Sequence, residues 1–90
     1  MNSKTKESFR KRFQSLPKDT QEAARQAYRL WLQDPRHTSL RYKQIHPSRP
    51  YYSVRVGAHW RAIGLKKGNE VLWFWIGPHS EYDGVVANLK

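Results

Sequence analysis

The chain has 90 residues, which allows one domain with one modest core and leaves no room for a separate cofactor module. It has no cysteine, which excludes disulfides, thiol catalysis and cysteine-ligated zinc. With 17 Lys and Arg against 7 Asp and Glu, the formal net charge is +10. Such a charge attracts polyanions. Nucleic acid is therefore the first candidate partner, an acidic protein the second and an anionic membrane the third.

The aromatic content is typical of a folded protein rather than of a disordered basic tail. Four Trp, five Tyr and three Phe each bury a large area, so a short chain can still close a core. No apolar run approaches the ~18 residues that a membrane-spanning helix needs, and the polar segment Met1–Arg12 lacks the apolar stretch of a secretory signal. We therefore expect a single cytoplasmic domain over residues 1–90, with no role in a membrane.

The first third of the chain predicts two helices. Phe9, Phe13 and Leu16 recur at spacings of four and three, which places them on one face of a first helix that Pro17 ends. A second helix is predicted over Lys18–Gln33. Its apolar stripe consists of Ala23, Ala24, Ala27, Leu30 and Trp31. Two helices joined by a tight turn form an αα-hairpin.

The remainder of the chain predicts strands. In Tyr52–Val56 the side chains alternate, so Ser53 and Arg55 face away from their apolar neighbours. The run Val71–Ile76 is apolar on both faces, which is typical of a central strand. The four predicted strands are an edge-like Leu40–Ile45, then Tyr52–Val56, Trp60–Lys66 and Val71–Ile76.

Turn residues separate these strands and define the fold class. Two prolines make 46–50 a loop, 57–59 reverses the chain, and 67–70 is a hairpin turn of the Gly-Asn type. After Gly77-Pro78 a short helix is predicted over Ser80–Asn88. Helices followed by strands predict an α+β fold, in which an N-terminal αα-hairpin packs on one face of a four-stranded, mostly antiparallel sheet with a short C-terminal helix. The opposite face of the sheet is then open to a ligand.

Positive charge is concentrated in the strand half of the chain. From Pro35 to Asn69 there are eight Lys and Arg and no Asp or Glu. Cations without internal partners favour external anions, and phosphates fit, although any single surface cation can also be merely solvated. The candidate nucleic-acid-binding residues in this stretch, besides Arg55 and Arg61, are Arg41, Lys43, Arg49, Lys66 and Lys67.

Arg55 and Arg61 are the strongest candidates for binding a phosphate, because each lies inside a predicted strand between two apolar neighbours. A guanidinium held on a rigid sheet can donate two parallel hydrogen bonds to one phosphate. The alternative is a solvated side chain or an ion pair with Glu81 or Asp83.

His79 and Tyr82 follow the last predicted strand. Imidazole has an ordinary pKa of about 6.5, so His79 can donate or accept a proton near neutral pH. If this stretch is helical, Tyr82 shares a face with His79 and can stack on a base or take part in proton transfer. The alternatives are a helix-capping histidine and a ring packed on the sheet. His37, His46 and His59 are expected in loops, without the spacing of a metal site, and no metal or other cofactor is predicted.

These same residues carry a resemblance to a known family. The sequence resembles the RelE/ParE superfamily of bacterial and archaeal toxins over nearly its whole length. The matching stretches are Tyr52–Val56, Trp60–Gly64 and Trp73–Asp83, together with the Leu16-Pro17 joint between two helices. The motifs are diffuse, but their order and spacing together are fairly specific.

The resemblance implies a toxin that is paired with an antitoxin. RelE-like members cleave messenger RNA in the ribosomal A site, whereas ParE-like members inhibit DNA gyrase. Arg61 stands where these toxins carry a strand arginine, and Arg55 where many carry a basic residue. His79 stands where some have a catalytic histidine and others an arginine, and Tyr82 lies close to a functional aromatic position. Ser53 replaces a lysine of some RelE-like enzymes, and little chain follows Val86, which leaves fewer catalytic groups.

The leading hypothesis is therefore a ribosome-dependent, metal-independent endoribonuclease that inhibits translation. Arg61 and Arg55 are expected to stabilise the transition state, His79 to act as general acid or base, and Tyr82 to position a base or share the proton transfer. Its partners are the antitoxin, messenger RNA and the ribosome. The alternatives are a gyrase inhibitor that performs no chemistry and a basic nucleic-acid-binding module without toxicity.

Overall fold

A five-stranded sheet with helices on both faces makes up the protein, as described for residues 2–90 by a computed structural model. The strands are β1 (Asn2–Thr5), β2 (Lys43–Gln44), β3 (Tyr51–Val56), β4 (Trp60–Lys67) and β5 (Glu70–Pro78), and the helices are α1 (Glu7–Gln14), α2 (Lys18–Gln33) and α3 (His79–Ala87). The strand order is β1-β5-β4-β3-β2, in which β1 is parallel to β5 and the other neighbours are antiparallel. The α+β fold class is confirmed. Over residues 2–90, no helix combines the length and the apolar character that crossing a bilayer requires.

The two predicted N-terminal helices are present, and Pro17 immediately precedes α2. Gln21 fixes their joint, because its side-chain amide donates to the carbonyls of Phe13 and Leu16 at 3.1 Å each. The two helices diverge over the sheet, since α1 lies mainly on β5 and α2 mainly on β3. An apolar groove of about 740 Å³ separates them, so the predicted αα-hairpin is more open than expected.

The core lies between these helices and one face of the sheet, called here the helix face. Trp31 of α2 is at its centre, only 1% exposed, with its ring edge-on to that of Trp73 at 5.4 Å. The buried core residues are Trp31, Leu40, Val54, Val56, Ala62, Val71, Trp73 and Ile76. The predicted alternation in β3 is confirmed, because Val54 and Val56 belong to this core and Ser53 and Arg55 do not.

The prediction of four strands is wrong, because β1 adds a fifth at the edge beside β5. Its register pairs Asn2 with Glu70 and Thr5 with Trp73. The segment is polar and mostly exposed, so backbone pairing rather than apolar burial holds it, and no periodic pattern marks it. The hydroxyls of Ser3 and Tyr28 also form a hydrogen bond of 2.6 Å that links β1 to α2.

The predicted edge strand 40–45 is also shorter than expected. Thr38–Leu40 forms one 3-10 turn, and Arg41 follows in the left-handed conformation with φ 48°. This bend buries Leu40 in the core, where it is 2% exposed, and leaves only Lys43–Gln44 to pair with β3. In the sequence, a leucine that is buried from a turn thus looked like the first apolar residue of a strand.

The face opposite the helix face, called here the site face, is only partly open. Helix α3 begins at His79, one residue earlier than predicted, and lies across this face. Tyr82 of α3 donates a hydrogen bond of 2.9 Å to Ser53 of β3. Ile63 and Trp75, which lie outside the main core, are 0% and 6% exposed. The expectation of an uncovered ligand face is therefore wrong, because α3 covers part of it.

A close approach between β4 and β5 requires glycine at position 64. A Cβ there would lie 2.5 Å from Val71 Cγ1 and 2.8 Å from the Trp73 ring, next to a register shift in the ladder. We expect Gly64→Ala to lower the free energy of unfolding by about 1–3 kcal/mol through overpacking, measured by urea denaturation. Gly84→Ala is the matched control, because its Cβ meets nothing within 4 Å and alanine favours a helix. Equal stability of Gly64→Ala and wild type would contradict this packing.

Candidate functional site

Two arginines lie directly opposite each other on the site face. Arg55 of β3 and Arg61 of β4 are register partners in the antiparallel pair, and both are half-buried. Like charges at directly opposed positions destabilise a sheet. A local conflict of this kind, in a well-formed part of the sheet, is typical of a functional position.

Backbone carbonyls anchor both guanidinium groups. Arg55 Nε donates to Gly57 O at 2.9 Å, and Arg61 Nη1 donates to Trp60 O at 2.9 Å. Partial burial lowers the pKa of Arg61, and the nearby charges of Arg55 and Arg41 lower it further, while Tyr82 acts in the opposite direction. Two guanidinium groups on one patch of the sheet give the cluster a concentrated positive potential.

No carboxylate of residues 2–90 forms an ion pair with Arg55 or Arg61. The ion pairs found there all involve cations of β1, α1 or α2. The alternative partner Glu81 instead lies 3.7 Å from Arg12 of α1, and Asp83 lies outside ion-pair distance of Arg55 and Arg61. An anion from outside the chain is therefore the natural partner of these arginines.

His79 and Tyr82 are brought to the same face by α3. The backbone N–H of His79 donates to His59 O at 2.7 Å, which ties the start of α3 to the turn between β3 and β4. The His79 side chain is exposed, and its ring centroid lies 5.8 Å from that of Tyr82. The predicted common helix face of the two residues is thus observed.

Ser53 fixes the position of Tyr82. It is 2% exposed and accepts the hydrogen bond from the Tyr82 hydroxyl. Tyr82 is itself half-buried and lies close enough to Arg61 to affect its pKa. The sequence placed Ser53 on the same strand face as Arg55 and noted it as a replaced lysine, but it did not predict the hydrogen bond with Tyr82.

The outer predicted cations are not all at the site. Lys43 borders a cleft that Tyr82 also lines, and Arg41 is within electrostatic range of Arg61. Lys66 instead lies over the Tyr52 ring at 5.6 Å, and Tyr52 stacks on Tyr42 at the rim of the core. The remaining two are peripheral: Arg49 lies in the loop before β3, and Lys67 lies six residues along β4 from Arg61, about 20 Å away.

The arrangement suits electrostatic stabilisation and proton transfer. Opposed guanidinium groups can bind one phosphate, and an exposed imidazole can exchange a proton beside them. Within residues 2–90, no three His, Asp or Glu side chains come together as metal ligands do. The chemistry available from these residues is therefore phosphate binding coupled to acid–base transfer.

Comparison with known proteins identifies a family. The family model described as ParE-like toxin domain matches residues 18–84. No curated protein sequence matches the chain.

Solved structures share the fold at low sequence identity. A chain of the RelB–RelE antitoxin–toxin complex from Methanococcus jannaschii is 18% identical with a TM-score of 0.71, and 90% of this chain and 96% of that chain are covered. YafQ from E. coli strain BL21(DE3) is 13% identical with a TM-score of 0.72 over the same shares. The YoeB/ParE toxin from Agrobacterium tumefaciens is 15% identical with a TM-score of 0.68, and 88% and 99% are covered.

Proposed function

This chain belongs to the ParE-like toxin domain family, and on that premise we propose that it is the toxin of a toxin–antitoxin pair and a ribosome-dependent endoribonuclease that cleaves messenger RNA in the cytoplasm. The resemblance to RelE/ParE toxins stated from the sequence agrees with the family model. Likeness to the solved RelE, YafQ and YoeB structures supports the shared fold.

One observation carries the nuclease proposal. Arg55 and Arg61 oppose each other without a carboxylate partner, beside a helix that presents an exposed histidine and an anchored tyrosine. A protein that acts only by binding needs positive charge, but it does not need an acid–base group beside it. The combination is what cleavage of a phosphodiester requires.

The proposed reaction uses the RNA's own nucleophile. The 2′-hydroxyl attacks the adjacent phosphorus, so a bond from O2′ to phosphorus forms as the bond to O5′ breaks. The products are a 2′,3′-cyclic phosphate and a 5′-hydroxyl. His79 takes the proton from O2′ or gives one to O5′, and Tyr82 orients a base or shares the proton transfer. Arg61 and Arg55 stabilise the additional negative charge of the transition state.

The test adds purified toxin to translating ribosomes and a defined message. We expect cuts within codons in the message, and none without toxin. An intact message under conditions where a known relative cuts would contradict the nuclease activity. A gyrase supercoiling assay run in parallel identifies the alternative, because a gyrase inhibitor blocks supercoiling and leaves the message intact.

The proposed RNA contacts predict a steep dependence of binding on salt. Each neutralised phosphate releases counterions, with a slope of roughly −0.7 per contact on a single strand in a log–log plot. We expect Lys43→Gln to reduce the slope by about one contact and to leave the cut positions unchanged. The measurement is a salt titration of RNA binding by fluorescence anisotropy.

Lys66→Gln is the matched control for Lys43→Gln. Both remove one positive charge, but Lys66 lies over Tyr52, away from the arginines. We expect it to leave the slope nearly unchanged. A flat salt response of the wild type would mean that the net charge of +10 serves another purpose than RNA binding.

The antitoxin is proposed to be acidic and amphipathic. We expect one segment of it to cover Arg55, Arg61 and His79 or to displace α3, since opposite charge neutralises the site. The apolar groove between α1 and α2 offers a place for a second, helical segment. Phe9, Phe13 and the Trp73 ring line this groove, and the charged residues that border it are all basic: Lys4, Arg10 and Arg25.

Charge reversal at the groove tests this partner. Arg25→Glu is expected to weaken the affinity for the acidic product of the neighbouring gene at least about tenfold, since an opposite charge becomes a like charge. Arg36→Glu, on an exposed turn outside the groove, is the matched control. Growth arrest by the Arg25→Glu toxin should persist when the two genes are expressed together. Equal binding by both variants would place the antitoxin elsewhere.

A further inference from the structure

Trp75 of β5 lies on the site face, next to the two arginines. Trp75 and Gly77 pair with Ile63 and Arg61 of β4, and partners in an antiparallel ladder share a face. A Cβ at Gly77 would lie 2.5 Å from Trp75 Cζ2 and 2.9 Å from its Cη2, so the indole covers Gly77. The ring is buried, with 6% exposure, and therefore lies one strand away from Arg61.

Arg12 of α1 contacts this ring from the edge of the sheet. Its guanidinium carbon lies 5.4 Å from the centroid of the Trp75 ring, which is the distance of a cation–π contact. The edge is open at this point, because β1 pairs with β5 only as far as Thr5 opposite Trp73. Helix α1 lies mainly on β5. The Arg12 side chain thus extends past the edge of β5 to the site face.

The same guanidinium joins α1 to α3. Arg12 Nη2 lies 3.7 Å from Glu81 Oε1, and Glu81 directly precedes Tyr82. An exposed ion pair alone contributes little to stability. A guanidinium, however, can stack on an aromatic face and bind a carboxylate in its own plane at the same time, so the two contacts of Arg12 support each other.

Helix α3 has few other attachments. None of its residues is buried. Over residues 2–90, three hydrogen bonds or ion pairs join it to the rest of the protein: its first N–H donates to His59 O, Tyr82 donates to Ser53 of β3, and the third is the ion pair of Arg12. The contact with Arg12 is the one that ties α3 to the β5 edge. Its loss leaves the helix free to tilt about the other two.

We propose that Arg12 is a positioning residue for the proposed nuclease reaction, on which this inference rests: it holds α3 against the β5 edge, so that His79 and Tyr82 lie beside the two site arginines. A group that transfers a proton must come within about 3 Å of the atom it serves. A tilt of α3 therefore removes the acid–base groups and leaves phosphate binding in place. Arg12 acts through the helix and contacts no reacting atom.

Charge reversal at Arg12 tests the hold on α3. Arg12→Glu removes the cation–π contact and places a like charge opposite Glu81. We expect the amide protons of residues 83–87 to exchange with solvent at least about fivefold faster, measured by NMR, while those of α2 keep their wild-type rates. Unchanged exchange in α3, or an equal increase in both helices, would overturn the proposal.

Lys11→Glu is the matched control for this reversal. Lys11 lies on the same helix, is exposed, and pairs with Glu7 of α1 rather than with α3. It changes the net charge by the same amount, so we expect wild-type exchange rates in α3. An increase as large as that of Arg12→Glu would show that any charge reversal on α1 loosens α3, and would overturn the specific role of Arg12.

The reaction is measured on the same two variants. We expect single-turnover cleavage at saturating ribosomes to be at least about fivefold slower in Arg12→Glu than in Lys11→Glu, because misplaced groups slow the chemical step. The affinity for RNA should be equal in the two variants, since both keep Arg55 and Arg61. Faster exchange in α3 with equal cleavage would overturn the positioning role.

Exchange of the two charges shows whether the contact acts directly. Glu81→Arg alone should reproduce the defect at an exposed position where the fold is retained. Arg12→Glu/Glu81→Arg restores the attraction, and we expect it to recover most of the lost cleavage and exchange protection. A double variant as defective as the product of the two single losses would overturn the contact.

Asp83→Arg controls for the positive charge that Glu81→Arg adds to α3. Asp83 is exposed and belongs to none of the ion pairs in the described part of the chain. We expect wild-type exchange in α3, and a defect equal to that of Glu81→Arg would overturn the role of the ion pair. A wild type that cuts no message overturns the nuclease function alone, because exchange and its recovery measure the hold of Arg12 on α3 without cleavage.

Discussion

His79→Ala is expected to reduce message cleavage by about 10²–10⁴-fold while RNA binding and its salt dependence remain those of the wild type. The imidazole is exposed at the start of α3, and its ring centroid lies 5.8 Å from that of Tyr82. A neutral imidazole adds little long-range attraction, so its removal affects the chemical step and not the encounter. Single-turnover cleavage on programmed ribosomes and anisotropy titrations measure the two quantities separately.

His59→Ala is the matched control for this experiment. The His59 side chain is also exposed, and its link to the site is a backbone carbonyl that the substitution retains. We expect its cleavage rate to stay within about threefold of wild type, as for a surface substitution of small energetic effect. If His79→Ala cuts as fast as His59→Ala, proton transfer by His79 is not part of the reaction.

Arg61→Met is expected to reduce cleavage by about 10²–10³-fold, the usual cost of losing one group that stabilises transition-state charge. It should not lower the thermal midpoint, because methionine retains the apolar stem and the repulsion from Arg55 is removed. Cleavage assays and thermal denaturation monitored by circular dichroism test the two parts. A midpoint well below that of wild type would show that Arg61 is structural.

A second substitution shows whether the two arginines act together. If Arg55 and Arg61 bind the same phosphate, the loss in Arg55→Met/Arg61→Met will be smaller than the product of the single losses. Lys67→Met provides the control, since it removes a charge from the far end of the same strand. Its effect should multiply with that of Arg61→Met, because residues so far apart act independently.

The sequence predicted those parts of the fold in which apolar residues recur at a regular spacing. The alternation in β3 correctly separated Val54 from Arg55, and Pro17 correctly marked the joint between α1 and α2. The strand β1 was missed because polar residues at a sheet edge are held by backbone bonds, which leave no side-chain pattern. Leu40 was misassigned, since a leucine buried from a turn resembles one buried from a strand.

The candidate site was predicted in its residue types but not in its geometry. Charge asymmetry and strand position indicated Arg55 and Arg61. Position after the last predicted strand indicated His79 and, at helical spacing from it, Tyr82. Alternation along β4 already places Lys66 on the face opposite Arg61, because the two residues are five positions apart, so its assignment to the RNA-binding set missed this pattern.

The pairing of β1 with β5 has a consequence for how the protein folds during its synthesis on the ribosome. Residues 2–5 find their strand partners only at residues 70–73, so the first segment to be synthesised pairs with the last strand of the chain. This pairing cannot form before β5 has been synthesised, and contacts so distant in sequence slow folding. The sheet edge, and the site face that β5 and α3 complete, can therefore assemble only near the end of translation. A nascent chain would then lack the complete site face, and with it the proposed nuclease site, until most of its length has emerged.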